Sequence, residues 1–193
     1  MNLLVAGRND DAIQELKNAQ TLDPASPIIM ADRAEMYIYT GRLDEAAKES
    51  RRVLELDPSF SLARVWLAWA LSGQGRFDEA AAILGQRQPE GDPAQLSALA
   101  YLYAASGRKA EARRTADRIG RQAQQDFGMP YMVASAYASV GDVDAMLPWL
   151  EKAFAERSGA LLLLNVHPMF AAVREDPRFQ AFVARAGLPP LRK

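Results

Sequence analysis

His167 is the only histidine in a chain of 193 residues that contains no cysteine. A general base needs an orienting partner and a nucleophile within hydrogen-bond reach. The spacing around His167 supplies neither, and a histidine followed by a proline (Pro168) at a helix entrance reads as structural. A lone histidine, in a chain without thiolates, does not make a zinc site without carboxylate help, since such a site takes three or four protein ligands. The carboxylates are spread through turns and solvated faces and do not gather as a pair. No Gly-x-Gly-x-x-Gly, Gly-Lys-Ser/Thr or Gly-x-Ser-x-Gly motif occurs, so no phosphate cradle or nucleophile elbow is indicated. No catalytic residue, metal or cofactor is therefore expected.

Binding chemistry is bounded in the same way. Lys and Arg total 23, Asp and Glu 24, for a formal net charge of −1, with both signs scattered along the chain. Nucleic-acid binding needs a Lys/Arg-rich face, and no basic block supplies one. No apolar run approaches the roughly 18 residues that span a bilayer. The longest candidate, 62–71, carries Arg64. Arg8, Asp10 and Asp11 interrupt any leader-like stretch at the start, so no signal peptide is expected. The absence of cysteine suits either cytosol or periplasm; cytoplasmic placement is the expectation, with the periplasm open if the chain belongs to a membrane-anchored regulator. Apolar content of 49% is ordinary for a globular protein.

The elements that position these side chains repeat. Gly41-Arg42-Leu43-Asp44-Glu45-Ala46 returns as Gly75-Arg76-Phe77-Asp78-Glu79-Ala80 and is foreshadowed by Gly7-Arg8-Asn9-Asp10-Asp11-Ala12. Looser copies start at Gly107 and Gly141, so the glycines stand 34, 34, 32 and 34 apart. A fixed period of this length marks stacked supersecondary units. Asp23-Pro24 and Asp57-Pro58, again 34 apart, stop a helix, because the residue before proline avoids helical dihedrals. Pro27 opens the next one, where a missing N–H is harmless. Each unit thus reads as helix, glycine turn, helix, Asp-Pro break.

Counting from the turn glycine gives the packing. Seven before it stand Ala34, Ala68, Ala100 and Ala134, and four before it Tyr37, Leu71, Tyr103 and Tyr137. Five after it stand Ala12, Ala46, Ala80 and Ala112, with Met146 in the last copy. Small residues facing large ones predict interlocked antiparallel helix pairs. The acids just after each glycine are expected to cap the trailing helix and complement its dipole.

Glycine, Leu or Phe, Asp-Glu-Ala and Asp-Pro at this period resemble the tetratricopeptide repeat. The resemblance covers 1–157, about four and a half units: a partial unit at 1–24, then 25–58, 59–92, 93–126 and 127–157. It implies an all-α, right-handed superhelical solenoid of antiparallel helix pairs, with 158–193 as a C-terminal helical cap. Arg33 and Arg64 depart from it by standing where an apolar residue is usual. The stretch from Gln86 to Pro93, with Pro89 and Gly91, is expected to loosen the stack or alter its curvature. The tail, with His167-Pro168-Met169-Phe170 and then Asp176-Pro177-Arg178-Phe179-Gln180, resembles the ending of such regions in bacterial multidomain regulators, nucleotide cyclases and kinases. That resemblance implies an interaction region attached to an N-terminal effector domain, and the chain is expected to be a fragment of a larger protein.

The family implies that leading helices line a concave groove. The stripe left over points there: Glu35, Ile38, Tyr39, Val65, Trp69, Tyr101 and Tyr131. Aromatics in a groove are rigid anchors, and an apolar or aromatic-bearing peptide, or a helix, is the expected partner. The alternative within the same residues is that Trp69 and Tyr101 merely pack within the stack. A second class of function is a scaffold or homodimer formed through an exposed first-unit face of Leu3, Leu4, Val5, Ile13 and Leu16. A small-molecule sensor is the third and weakest, since it needs a closed pocket.

Overall fold

In the computed structural model the described residues are 8–85, 92–125 and 129–188, and among them every regular element is helical. The chain divides into two compact units, Met1–Gln88 and Pro89–Lys193. The first contains α1 (Asn9–Leu22), α2 (Pro27–Tyr39), α3 (Leu43–Leu56), α4 (Ser61–Gly73) and α5 (Phe77–Gly85). The second contains α6 (Pro93–Ala105), α7 (Lys109–Gln125), α8 (Pro130–Ser139) and α9 (Val143–Ala155). Two 3-10 helices (Gly159–Leu163 and Pro168–Val173) and α10 (Pro177–Arg185) complete it. The stretch 86–91, expected to loosen the stack, lies outside the described residues.

The repeated glycine has a direct backbone cause. Gly41, Gly75, Gly107 and Gly141 hold φ between 74° and 77°, the left-handed region where a Cβ collides with the following carbonyl. In each case the next residue donates its N–H back into the finished helix: Arg42 to Tyr37 O (2.8 Å), Arg76 to Leu71 O (2.9 Å), Arg108 to Tyr103 O (2.8 Å) and Asp142 to Tyr137 O (3.1 Å). This closure satisfies carbonyls that a helix end leaves unpaired. It reverses the chain so that the following helix packs on its predecessor.

The acids after these glycines do not all act as expected. Arg42 is the N-cap of α3, and no side chain caps that end. Asp44 and Glu45 fall inside the first turn, past the position from which a carboxylate reaches the free N–H groups. Their charge still sits at the positive end of the dipole. A true cap appears where the residue after glycine is itself acidic: Asp142 accepts from Ala145 N at 2.9 Å. Asp92 and Asp176 cap α6 and α10 in the same manner.

The small residues lie where the helices meet. Ala34, Ala46, Ala80, Ala100, Ala112 and Ala134 are fully buried, as is Met146 at the matching place in the last hairpin. In the first unit, Met30, Ala31, Val53 and Ala63 form a core cluster flanked by Leu54, Phe60 and Trp66. In the second, Phe170 and Phe179 stack in parallel at 5.7 Å and join Met169, Leu150 and Met146 in the interior. The cap is tied to α9 by Arg178 to Asp144 and Arg185 to Glu151. The apolar face of α10, with Phe179, Phe182 and Val183, is buried.

The two arginines at apolar repeat positions each have a partner. Arg33 reaches Glu49 of α3 at 2.6 Å, with both side chains nearly buried, and also Gln20 of α1. Arg64 folds back on the preceding break and donates to Pro58 O (2.5 Å) and Ser59 O (3.3 Å). Their aliphatic stems fill the apolar position while the guanidinium finds acceptors.

Candidate functional site

The stripe named from the sequence lies on the leading helices, but at unequal depth. In the first unit Val65 and Trp69 are 4% and 6% exposed, and Ile38 is 9% exposed. Trp69 meets Trp66, one turn earlier on α4, edge to face at 5.4 Å. In the second unit Tyr131 is 4% exposed. It packs against His167 (5.8 Å) and Phe170 (5.7 Å) of the segment that follows α9. For these four side chains the chain itself supplies the covering. Glu35, Tyr39 and Tyr101 remain half-buried and carry what surface the stripe offers.

Glu35 and Tyr39 stand one turn apart on α2, and the Tyr39 hydroxyl donates to Glu35 Oε1 at 3.1 Å. Burial pushes the Glu35 carboxyl up to about 7. The Tyr39 hydrogen bond opposes that rise and nearby Asp32 adds to it. At neutral pH this carboxyl is divided between its two protonation states, so it both accepts and donates hydrogen bonds. Burial likewise pushes the Tyr101 phenol up, which keeps it a neutral hydroxyl.

His167 is interior. Its ring lies edge-on to Tyr131 and Phe170, and its backbone N–H donates to Leu163 O at 2.8 Å. Burial, followed by the charge of Arg174, lowers its pKa to about 3, so it sits in the cap as a neutral ring. Among the described residues no group of three or more His, Cys, Asp or Glu side chains is arranged to hold a metal ion. No helix among them is long and apolar enough to cross a membrane.

The expected self-association face is changed by the structure. Leu3, Leu4 and Val5 lie outside the described residues. Ile13 is 2% exposed and so is covered within the chain, because it turns inward beside Ala12. Leu16 is half-buried.

Two features were not singled out from the sequence. The first is a set of exposed apolar side chains with the repeat period: Leu22 and Leu56, and Ile28 and Leu62, each pair 34 apart at the Asp-Pro break. Their recurrence is legible in the sequence, whereas their exposure is not, because a period alone does not say which apolar face is covered. The second is a clip at the glycine turns. Arg42, Arg76 and Arg108 each pair with the glutamate three residues on, Glu45, Glu79 and Glu111. Arg42 and Arg108 also lie over the rings of Tyr37 and Tyr103, at 4.7 and 4.4 Å. The last turn has Asp142 in place of the arginine. There Arg113 of α7 approaches both Tyr137 (5.7 Å) and Asp142.

Helical hairpins closed by a left-handed glycine, locked by alanines at fixed offsets and repeated at a 34-residue period define the class of helical-repeat solenoids. Tetratricopeptide-repeat family profiles match residues 1–59, 40–98 and 93–118, and the chain belongs to that family. Repeats of this kind generally act as scaffolds that bind proteins or peptides. No curated protein matches the chain.

Proposed function

We propose that this chain is a non-catalytic protein-binding module whose leading helices receive a peptide or partner domain. The observation that carries this reading is the half-buried, hydrogen-bonded pair Glu35 and Tyr39 on α2, in the same unit as the buried Ile38, Val65 and Trp69 of the stripe. Half-buried polar groups above aromatic and aliphatic side chains are the usual composition of a peptide-binding face. In the second unit the half-buried Tyr101 supplies the corresponding surface. The scattered charge favours a protein partner over nucleic acid or membrane. A role as the interaction region of a larger bacterial regulatory protein in the cytoplasm fits the resemblance of the tail.

Trp69 is too deeply covered to accept a charge without loss of folding, so the test uses the half-buried residues. The full chain and its Glu35→Lys, Tyr101→Glu double variant, both shown to be helical by circular dichroism, are used to capture partners from a lysate of the source cells. The reading expects a protein retained by the first and lost by the second. Equal capture by both sinks the leading-helix face. A scaffold role then remains, to be checked by sedimentation of the chain and a Leu16→Glu variant.

A further inference from the structure

A second binding place lies away from the leading-helix stripe, where α9 gives way to the cap. A cleft of about 450 Å³ opens there, lined by Phe154, Leu161, Leu162 and Leu188, with Arg157 and Ser158 at its polar side. Its size falls within the range of ligand clefts, about 300–1,000 Å³. Phe154 is held edge-on by Phe182 at 6.3 Å, with Arg185 stacked nearby at 5.9 Å, and still keeps 39% of its surface exposed. A braced but exposed aromatic is an anchor with little entropy left to lose on binding.

The cation of this cleft is uncommitted. Arg185 is engaged by Glu151, whereas the exposed Arg157 forms no ion pair among the described residues. Arg157 is also the one described non-glycine residue at positive φ, 55°. It occupies the left-handed closing position after α9, where its own N–H reaches Phe154 O (3.0 Å) and that of Ser158 reaches Ala153 O (2.9 Å). Every other described positive-φ residue is glycine. Such strain persists where the side chain is needed, and it gathers at ligand-binding places.

We propose that this cleft docks an acidic, apolar peptide segment of a partner protein. A large apolar side chain seats against Phe154, Leu161, Leu162 and Leu188, and a neighbouring Asp or Glu pairs with the Arg157 guanidinium. Among the described residues the only charge lining the cleft is that of Arg157; Glu156, beside it in the chain, lines an adjoining cleft with Met129 and Tyr131 that meets this one at Ser158. Charge complementarity therefore selects the acidic segment. This goes beyond the leading-helix reading and uses none of its residues.

The test is phage-displayed random dodecapeptides selected on the full chain, followed by fluorescence polarisation of the selected peptides. Arg157→Gly removes the cation and relieves the backbone, so its melting temperature should stay level or rise, which separates lost binding from lost folding. The proposal expects enrichment of Leu, Phe or Trp next to Asp or Glu. Affinity should be at least tenfold weaker on Arg157→Gly and weaker on Phe154→Ala, and unchanged on Glu35→Lys. It is overturned by any of three results: no enrichment, enrichment of basic or uncharged sequences, or acidic peptides that bind Arg157→Gly as well as the unaltered chain. Peptides lost on Glu35→Lys but kept on Arg157→Gly count against this cleft and for the leading-helix face.

Discussion

At the scale of single residues, the informative groups are those whose type conflicts with their position. Arg33 is a cation at an apolar repeat position, held by Glu49 in a nearly buried pair. Removing one member of such a pair leaves the other charge uncompensated, at a cost of about 3–5 kcal/mol, while replacing both with apolar residues is often neutral. Urea unfolding of Glu49→Ala should therefore show a loss of about 3 kcal/mol, since Gln20 still contacts Arg33. The double change Arg33→Met, Glu49→Leu should recover most of it. Failure of the double variant to recover would mean that the pair fixes the helix register.

Glu35 and His167 conflict with their surroundings in opposite senses. Glu35 has its folded-state pKa raised to about 7. Its stabilising contribution is full below its ordinary value near 4.5 and is lost as pH rises through 7. His167 has its folded-state pKa lowered to about 3, so the unfolded chain takes up a proton first. Stability then falls as pH drops below about 6.5, at about 1.4 kcal/mol per pH unit once that proton is bound in the unfolded state. Between pH 4.5 and 6.5 the two slopes oppose each other. Denaturation monitored across pH 4–8 should show Glu35→Gln abolishing the loss at high pH, and His167→Gln flattening the loss at low pH. A Glu35→Gln curve that still declines between pH 5 and 8 would reject the assignment to that carboxyl.

At the scale of the element, one close approach decides how α7 meets α8. A Cβ placed on Gly120 would stand 2.7 Å from the Tyr137 hydroxyl, which donates to Asp117 at 3.2 Å. The ring cannot withdraw without breaking that bond. Gly120→Ala should cost about 1–3 kcal/mol as overpacking, despite alanine's better helix propensity, and Tyr137→Leu in the same chain should remove most of the penalty. Thermal denaturation of the single and double variants measures this.

This is also the scale at which the sequence was most legible. The turn glycines, the alanines facing across each pair and the proline starts follow from a period, because each depends on residues within a turn or two. Depth was not legible in the same way. Offsets from Gly75 place Trp69 on the leading-helix stripe, but Trp66 beside it helps to cover it. Tyr131 is covered by His167 and Phe170, nearly 40 residues later in the chain and outside the repeat. A period carries no information about a contact made by a non-repeating tail. The strained Arg157 had no signal either, because its left-handed backbone depends on where α9 ends.

At the scale of the whole chain, the two units each own a core: Met30, Ala31, Val53 and Ala63 in the first, and Phe170, Phe179, Met169 and Leu150 in the second. Residues 89–193 produced alone should retain helical circular dichroism and the acid sensitivity assigned to His167. Trp149 is the only tryptophan in that piece, so its fluorescence follows the transition cleanly. A fragment that is unfolded at neutral pH would show that the second core does not stand by itself.

The clips at the turns bear on how such a chain is assembled and how it changes through descent. Arg42 with Glu45, Arg76 with Glu79, and Arg108 with Glu111 are three residues apart, and each joins a glycine closure spanning five. Contacts so near in the chain form quickly, because little loop entropy is spent before they are made. Any hairpin can therefore nucleate the array. A gene segment encoding one such hairpin carries its own closure, so duplication or loss of a whole 34-residue unit leaves the remaining turn clips intact. The exception is the last hairpin, whose Tyr137 and Asp142 borrow Arg113 from the unit before. Moved alone, it would leave that cation behind.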